Sequence, residues 1–490
     1  MESLSDTLWD VVICGTGLQQ SLLALALSRS DKKVLHIDPH DYYGGQDAAL
    51  SLQEAESWVA DVEAGKEPSF RSALITKPDG STGLGFPRAY SLALSPQLIH
   101  ARSALLEQLV SSRAYRQVEF LAVGSFFIFN PAQDPSQKPT LARIPSTRED
   151  VFLTTAIPTK AKRGLMKFLK FVLDYESSPQ TDLWQPDAEA PLTEFLSRQF
   201  KMDTELQTYI ITLSLSLDGK ITTKDGLAVI RRHLSSMGMY GPGFAAIYPK
   251  WGGLSEIAQI SCRAGAVGGA VYMLGTGIKA MKEGEDPIEV ELTSGDVIKT
   301  RSLVRSGNDA TGQIETARLV AVVGSPIKSL FEATAEGAPT PAVAVVAFPA
   351  GSLSTPGGKA SEYPAYVSVH SSDTGECPNG QSVLYMTTLA TSESQEILDQ
   401  ALDSFLGAVG DDQAPQCLYK LQYKRLEGST QSPAHGSIFD FTIPSTSLSF
   451  NDSTLEPVRD AWKMVMGDAA VDAEYMQFTD REGAAEDDDL

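Results

Sequence analysis

Cysteine and long apolar runs are both scarce in this sequence. Its four cysteines, Cys14, Cys262, Cys377 and Cys417, lie far apart and form no CxxC pair, so neither a disulfide framework nor a cysteine-based zinc site is expected. The longest apolar runs, such as residues 22–27, are far too short to cross a bilayer. The acidic, polar start differs from a secretory signal and from a transit peptide. Together these features predict a cytoplasmic protein with reduced thiols.

Basic residues are also few. The 490 residues include 40 Lys and Arg against 62 Asp and Glu, which gives a formal net charge of -22. Nucleic acid and anionic membrane surfaces are therefore not expected as primary partners, because both need clustered cations. The negative charge either attracts a basic segment of a partner protein or serves solubility alone. A hydrophobic content of 42% indicates a globular chain, which is long enough for more than one core.

The motifs of common catalytic sites are missing. The six histidines form no HExxH pair, and none lies near a cysteine at a spacing typical of zinc ligands. Neither a P-loop nor a G-x-S-x-G nucleophile turn occurs. Paired carboxylates fall in segments typical of solvated loops and tails. The sequence therefore assigns no catalytic residue and no metal site.

Near the amino terminus, the sequence has the layout of a dinucleotide-binding strand, turn, helix and strand. Val11 to Cys14 is a short apolar run typical of a buried parallel strand, and Gly15-Thr16-Gly17 supplies a tight turn. Leu18 to Ser28 predicts a helix, and Lys33 to Ile37 predicts a second strand. Asp38 follows at the position where an acidic residue binds the ribose in this motif. The pattern predicts an α/β protein with a Rossmann-type domain of the FAD/NAD(P)-binding kind.

The phosphate-binding half of that motif is incomplete. The complete motif has a third glycine three residues after Gly17, where helix and strand pack closely beside the pyrophosphate. This sequence has Gln20 there. Its side chain should either push the helix away or fill the phosphate site. We therefore expect the scaffold of a dinucleotide fold without a dinucleotide, and we assign no cofactor.

The rest of the chain divides into an α/β part and a helical insertion. Residues 1–146 and 222–466 are predicted to form a discontinuous flavoprotein-like α/β domain, and residues 147–221 a helical domain with apolar stripes at helical spacing. The acidic residues 467–490 are predicted to be a disordered tail. The further predicted helices are Ser95–Val110, Lys160–Tyr175, Leu192–Phe200, Asp203–Leu217, Thr223–Met237 and Val458–Met466. The further predicted strands are Val118–Phe129, a hairpin around Ser294-Gly295-Asp296, Leu319–Val323 and Ala342–Phe348, with loops at residues 61–87 and 350–380.

A second unusual motif, Tyr42-Tyr43-Gly44-Gly45, follows the second predicted strand. Two aromatic residues before two glycines suit an exposed platform whose backbone approaches another surface, and tyrosines bring a large contact area. The same residues also suit a tight turn in which the tyrosines fill the fold. The motif by itself does not separate these two interpretations.

With these motifs in place, the sequence resembles the family of Rab GDP-dissociation inhibitors and Rab escort proteins. The resemblance is strongest over residues 10–45, where Gly15 to Leu18 and Tyr42 to Gly45 are its most specific pieces, and it covers most of residues 8–275. It implies a flavoprotein-like α/β scaffold with a helical domain. The family is not known for flavin binding, which agrees with the expectation drawn from Gln20.

Two segments favour the escort branch of that family. Pro145 to Phe152 and Lys162 to Leu169 resemble escort proteins, in which a Phe and an Arg at the positions of Phe152 and Arg163 contact the α-subunit of the prenyltransferase. Dissociation inhibitors have a small residue in place of that Phe. Phe152 is therefore the best single discriminator, although a core aromatic residue at a helix start would give the same pattern.

The resemblance also implies a binding surface for the GTPase and a groove for its lipid. It places the Rab-binding platform at Tyr42 and Tyr43, at Arg102, and near Met239-Tyr240, where the family usually has Arg in place of Met. The groove for a geranylgeranyl chain falls on the first helix of the helical domain. Its candidate residues, which core packing would explain equally well, are Leu169, Phe171, Val172 and Leu173.

The function implied by the resemblance is that of a non-catalytic Rab escort protein. Such a protein binds newly made, GDP-bound Rab GTPases and presents them to the α/β heterodimer of Rab geranylgeranyltransferase. It then shields the attached geranylgeranyl lipid and delivers the product through transient membrane contact. A dissociation inhibitor that recycles prenylated Rabs is the first alternative. A flavin-dependent oxidoreductase is an alternative from another class, and a degenerate scaffold with unrelated partners is a third.

Overall fold

The structure is a computed structural model, and it describes residues 4–78, 83–132, 134, 137–145, 159–282, 287–307, 314–409, 415–426, 434–443 and 447–479. The helices in these ranges are Leu18–Leu27 (α1), Leu52–Glu63 (α2), Ala104–Ser111 (α3), Thr159–Leu173 (α4), Gln180–Trp184 (α5), Leu192–Phe200 (α6), Thr204–Ser214 (α7), Thr223–Ser236 (α8), Leu254–Val267 (α9), Ser394–Val409 (α10) and Glu456–Met466 (α11).

The strands in the same ranges are Leu8–Cys14 (β1), Val34–Asp38 (β2), Ala49–Leu50 (β3), Phe70–Thr76 (β4), Leu92–Ala93 (β5), Ile99–His100 (β6), Phe120–Asn130 (β7), Thr140–Arg143 (β8), Ala246–Pro249 (β9), Val271–Leu274 (β10), Ile278–Lys282 (β11), Ile288–Leu292 (β12), Val297–Ser306 (β13), Glu315–Val323 (β14), Val343–Phe348 (β15), Ala365–Ser371 (β16), Ser382–Leu389 (β17), Cys417–Leu426 (β18), Ala434–His435 (β19) and Ile438–Phe441 (β20).

The first sheet confirms the predicted dinucleotide-type fold. Strands β10, β2, β1 and β13 lie side by side in parallel, and α1 connects β1 to β2. Strands β12 and β11 continue the sheet in antiparallel fashion, and β12 and β13 form the predicted hairpin. Helix α1 is buried over its whole length and packs against α9 and α11. Burial on all sides explains why its sequence lacks a polar face.

The second sheet is mixed and larger. Its described strands follow the order β4, β18, β14, β17, β16, β15, β7, β9 and β6, with β8 paired to β7. Helix α10 packs its apolar face on β14 and β17, and α2 packs on β4. Helix α2 begins in a capping box, in which Ser51 and Glu54 satisfy each other's backbone N–H groups.

The helical layer does not form a separate bundle. Helices α4, α6, α7 and α8 share one continuous core with β7, β15 and β16 of the second sheet, where Phe168 and Phe195 are buried in the same cluster as Val345 and Tyr366. Four helices predicted here are confirmed as α4, α6, α7 and α8. Helix α8 lies beyond residue 221 and shares this core through Leu227 and Ile230.

Four predictions of local structure differ from the structure. Residues 350–380, predicted as loop, contain β16, which pairs with β15 and β17. The helix predicted at Ser95–Val110 begins at Ala104, because residues before it form β6 and pair with β9, and Ser103 caps the helix. Residues 61–87 contain β4 rather than only loop. Residues 467–479, assigned to the tail, form two short 3-10 turns and bury Tyr475 against Trp462. Residues 480–490 lie outside the described residues.

Candidate functional site

The glycine turn between β1 and α1 is filled by a side chain of the protein itself. Gln20 lies in the first turn of α1, is 4% exposed, and donates from Nε2 to Ser306 Oγ at 2.8 Å. Its Oε1 lies 2.9 Å from the point that a Cβ on Gly17 would occupy, and Nε2 lies 3.5 Å from the same point on Gly15. Of the two consequences expected of Gln20, the structure therefore shows filling of the turn.

The acidic residue that ends β2 is also engaged within the protein. Asp38 is buried, and its Oδ2 accepts from the backbone N–H of Thr16 at 2.6 Å and from Thr16 Oγ1 at 2.8 Å. Its Oδ1 accepts from the backbone N–H and the imidazole Nδ1 of His40, at 2.8 and 2.9 Å. A carboxylate has about four acceptor positions. Hydrogen-bond donors of the protein therefore occupy the acceptor positions of Asp38 to which a ribose hydroxyl would donate.

Two titratable groups beside the turn are held neutral. Burial lowers the pKa of His36 to about 4, and its Nε2 lies 2.6 Å from the carbonyl oxygen of Gly15, to which it donates. Burial, assisted by the negative charge of Asp38, raises the pKa of Cys14 to about 12. A thiol with that pKa is a poor nucleophile at neutral pH. These two groups support the turn and offer no reactive centre.

A dinucleotide does not fit this cradle. Gln20 covers the phosphate position, and Asp38 is engaged as described above. Gln19 Nε2 also donates to the carbonyl oxygen of Thr454 at 3.0 Å, which joins α1 to the turn before α11. A neighbouring cavity, lined by Leu18, Asp47 and Thr454, measures about 10 Å³, about the room that one water needs. The residues around this turn therefore do not fit a flavin or nicotinamide dinucleotide.

The tyrosine loop, residues 39–45, lies directly beside this filled cradle. Tyr42 and Tyr43 are both half-buried, so each combines packing with an exposed edge. The ring of Tyr42 stacks on His40 with centroids 4.9 Å apart. Gly44 adopts φ +103°, a conformation that favours glycine. A Cβ there would lie 2.9 Å from Ser255 Oγ at the start of α9, so the loop packs closely against that helix.

A second part of the predicted platform is assembled from two distant segments. Arg102 is exposed, and its Nε donates to the carbonyl oxygen of Ser235 at 2.9 Å, while its backbone N–H donates to Ser236 Oγ. Both serines belong to the end of α8, just before Met239 and Tyr240, and these two side chains are about half exposed. The structure thus places Arg102 against the end of α8, close to the Met239-Tyr240 segment.

Trp251 is a candidate contact residue that the sequence did not single out. Its side chain is 53% exposed although its backbone has φ +72°, a conformation that costs a non-glycine residue about 1–3 kcal/mol. The indole covers Gly375, where a Cβ would lie 2.3 Å from the ring, and Lys250 Nζ lies 5.1 Å from the ring centroid. Gly252 packs on Ala49, which connects this corner to the segment after the tyrosine loop.

The sequence contains a pattern that could have indicated the Trp251 corner. Trp251-Gly252-Gly253 repeats the pattern of Tyr43-Gly44-Gly45, an aromatic residue before two glycines. All four of these glycines have positive φ. The repetition would have indicated two comparable turns, each displaying an aromatic side chain.

The predicted transferase-contacting residues are only partly covered by the structure. Phe152 lies outside the described residues. Arg163 is exposed on the first half of α4, where its guanidinium is available to a partner. The roles of both residues remain predictions.

The residues predicted to form the prenyl groove are mostly core residues in this conformation. Leu169, Phe171 and Val172 are buried, and the ring of Phe171 packs against Phe195 and Phe200 at centroid distances of 5.8 and 5.3 Å. Leu173 is exposed. These four residues therefore do not line a common open groove here, and their lipid-binding role stays a prediction.

A buried polar network lies under the Trp251 corner. Glu376 accepts hydrogen bonds from Tyr248 at 2.7 Å, from Tyr385 at 3.0 Å and from His370 Nδ1 at 2.7 Å, and His370 Nε2 lies 2.8 Å from Ser368 Oγ. Burial, with the charge of Glu376, raises the pKa of both tyrosines well above its usual value, so both remain donors.

Ser368, His370 and Glu376 are hydrogen-bonded in the same sequence as the Ser, His and acidic residue of a hydrolase triad. Their surroundings, however, favour a structural role. The adjoining cavity measures about 20 Å³, which accommodates a water molecule and not an acyl substrate. The backbone of the same loop holds the exposed corner, since Thr374 accepts from the N–H of Trp251 at 2.9 Å. The network therefore fixes the position of the indole.

Among the described residues, no group of three or more His, Cys, Asp or Glu side chains could hold a metal ion. Across those ranges, no helix combines the length and apolar character needed to span a membrane.

Sequence comparison relates this chain to one family model and to a protein of Saccharomyces cerevisiae. The family model described as GDP dissociation inhibitor matches residues 5–469. The Rab proteins geranylgeranyltransferase component A of Saccharomyces cerevisiae is 32% identical over 405 residues, which cover 81% of this chain and 64% of that protein. The chain thus spans slightly less than two thirds of the length of this relative.

Comparison with solved structures supports the same fold. Rab GDI from Plasmodium falciparum superimposes with a TM-score of 0.67 at 17% identity and covers 94% of this chain and 98% of its own. An oxidoreductase from Methanosarcina mazei gives a TM-score of 0.59 at 11% identity, over 92% of this chain and 99% of its own. The filled cradle sets this chain apart from a cofactor-binding use of the shared fold, and the family match covers nearly its whole length. The chain belongs to the GDP dissociation inhibitor family.

Proposed function

We propose that this protein is a Rab escort protein. It binds unprenylated, GDP-bound Rab GTPases, presents them to Rab geranylgeranyltransferase, and then shields and delivers the lipidated product. The observation that carries this proposal is the 32% identity to a geranylgeranyltransferase component A over 81% of the chain. In this role the protein is an accessory component, and the chemistry belongs to the transferase.

The GTPase would bind the face formed by the tyrosine loop, the Arg102 and Met239-Tyr240 segments, and the Trp251 corner. Large aromatic side chains supply most of the energy at many protein interfaces. Tyr240 and Trp251 are each 53% exposed on the free protein, so both have area to bury. Met239 replaces the Arg usual in the family, and Arg102 beside it supplies a cation for that part of the surface.

The transferase would dock on the helical layer through Phe152 and Arg163. An aromatic residue entering an apolar pocket beside a charge-assisted hydrogen bond is a common interface anchor. The exposed position of Arg163 on α4 is compatible with this contact. The tyrosine loop follows β2, outside the helical layer, so the two partners would contact different segments of the chain.

The lipid would bind between α4 and its neighbours. Because Leu169, Phe171 and Val172 are packed in the core here, a groove requires α4 to move away from α6. Burial of an isoprenoid chain would offset the lost packing, since each Å² of apolar surface removed from water contributes roughly 25 cal/mol. The lipid thus substitutes for the side chains it displaces.

A ternary binding experiment tests the proposal. The full chain, an unprenylated GDP-loaded Rab and the transferase heterodimer should form one complex, measured by analytical ultracentrifugation. Phe152→Ala should retain Rab binding and weaken transferase recruitment. Leu183→Ala, which truncates an exposed apolar residue on α5, serves as the matched control and should change neither. Equal loss of both interactions in Phe152→Ala would contradict the assigned role.

A dissociation inhibitor is the second candidate, because the family description and the Plasmodium falciparum structure both carry that name. Such a protein extracts prenylated Rabs from membranes and does not recruit the transferase. Extraction of lipidated Rab without formation of the ternary complex would support this alternative.

A further inference from the structure

His40 bridges two carboxylates at the base of the tyrosine loop. Its Nδ1 lies 2.9 Å from Asp38 Oδ1 and its Nε2 lies 2.7 Å from Glu67 Oε1. A ring that contacts carboxylate oxygens through both nitrogens must donate from both, and only the imidazolium does so. Burial alone would lower the pKa of His40, but the hydrogen bonds to the two carboxylates outweigh it and raise the pKa to about 10. His40 is therefore a cation at neutral pH.

The bridge connects separate parts of the fold. Asp38 ends β2 in the first sheet, whereas Glu67 lies just before β4 of the second sheet. The imidazolium is 27% exposed, while both carboxylates are more deeply buried. A charge pair shielded in this way is less screened by solvent than a surface pair. It therefore links the end of β2 to the segment before β4.

The same carboxylate holds the far end of the loop through Thr16. Thr16 donates to Asp38 Oδ2 from both its N–H and its hydroxyl, and it receives the backbone N–H of Gly44, which lies 3.1 Å from Oγ1 and 3.2 Å from the carbonyl oxygen. His40 binds Asp38 directly at the near end. The segment that carries Tyr42 and Tyr43 is thus attached at both ends to one buried carboxylate.

We propose that Asp38, the residue that would bind a ribose in a dinucleotide enzyme, acts here as a positioning residue for GTPase binding. Through His40 and Thr16 it holds the tyrosine loop in the conformation that contacts the partner, and Glu67 completes the bridge. This inference rests on the proposed function. The role of Asp38 differs from general support of the fold, because its effect on GTPase binding depends on the contacts made by Tyr42 and Tyr43.

A double-mutant cycle tests this proposal. Affinity of the full chain is measured for a GDP-loaded, unprenylated Rab that the wild type binds. His40→Gln and Glu67→Gln should each weaken binding by about tenfold, which corresponds to one charge-assisted hydrogen bond. Lys66→Gln removes an exposed ion pair one residue away and is the matched control, with no change expected.

The cycle is closed with Tyr43→Ala. If His40 acts through the loop, His40→Gln added to Tyr43→Ala should cause little further loss of affinity. Fully additive losses would overturn the proposal, as would unchanged binding by His40→Gln. Transferase binding should remain at the wild-type level in every variant, and its loss in His40→Gln would indicate general unfolding and count against a positioning role.

A spectroscopic measurement tests the bridge itself. The imidazole NMR signals of His40, identified by their absence in His40→Gln, should titrate near pH 10 in the wild type and at lower pH in Glu67→Gln. The carboxylates of Asp41 and Asp61 also act on the neighbouring Tyr42 and are retained in all variants. Titration of His40 near its ordinary pKa of 6.5 would contradict the bridge. Failure of the wild type to bind any Rab would instead contradict the proposed function.

Discussion

Replacement of Gln20 by Ala tests whether its side chain really fills the cradle. Gln20 is almost fully buried, and its amide donates to Ser306 across the turn. Truncation removes the equivalent of about two buried methylenes, each contributing about 0.8 kcal/mol, and a hydrogen bond that contributes about 1 kcal/mol. The expected loss of local stability is therefore about 2–3 kcal/mol.

Hydrogen exchange measures this loss where it occurs. Amide protons of α1 should exchange about 30 to 150 times faster in Gln20→Ala than in the wild type, because each 1.4 kcal/mol corresponds to a factor of ten. The matched control is Gln53→Ala, which changes the same residue type in the first turn of α2 at an exposed position. Its effect on α2 should stay within about 0.5 kcal/mol.

Equal effects of the two substitutions would contradict the packing of Gln20 against the glycine turn. If Gln20→Ala and Gln53→Ala had equally small effects on their helices, Gln20 would not be packed against the glycines. The cradle would then be open to a ligand, and Gln20 would no longer explain why a dinucleotide is excluded from this fold.

Three further predictions concern the platform, the core and the bridge. Trp251→Ala should weaken Rab binding by about ten- to a hundredfold in a titration assay. Val471→Ala, a comparably exposed control, should leave Rab affinity unchanged. Unchanged Rab affinity in Trp251→Ala would exclude the Trp251 corner from the interface. Phe195→Ala should destabilise the helical layer by about 3–5 kcal/mol by hydrogen exchange, since its ring is fully buried; a loss below 1 kcal/mol would contradict the shared core. The pKa of His40 rises from 6.5 to about 10 on folding, so its bridge stabilises the fold fully below pH 6.5 and this stabilisation is lost as pH approaches 10. Denaturation midpoints of the wild type should therefore fall relative to those of His40→Gln between pH 6.5 and 10. Midpoints of the two proteins that change in parallel with pH would contradict the bridge.

The β1–α1–β2 unit of the first sheet could be predicted because its pattern is local. The apolar run, the glycine turn and Asp38 lie within a short stretch, and each signal has one dominant structural meaning. Gln20 was informative for the same reason, since a single position in the motif determines whether phosphate has room. The helices α4, α6, α7 and α8 were also readable, because their apolar stripes follow helical spacing.

The remaining features depend on contacts between distant segments. Residues before α3 form β6 only because β9 is available to pair with them, so helical pattern alone extended that prediction too far. The exposed indole of Trp251 depends on Gly375, more than a hundred residues later. The bridge from Asp38 to Glu67 depends likewise on the meeting of two sheets, which no local pattern in the sequence reveals.

Reconstituted prenylation is the decisive test of the proposed escort function. Purified transferase, geranylgeranyl diphosphate and an unprenylated GDP-loaded Rab are combined with and without the full chain, and lipid transfer is measured by mass spectrometry. We expect lipid transfer to depend on the chain and to saturate as chain and Rab reach equal concentration. Equal transfer in its absence, across Rabs that the chain binds, would contradict the claim that it acts as an escort.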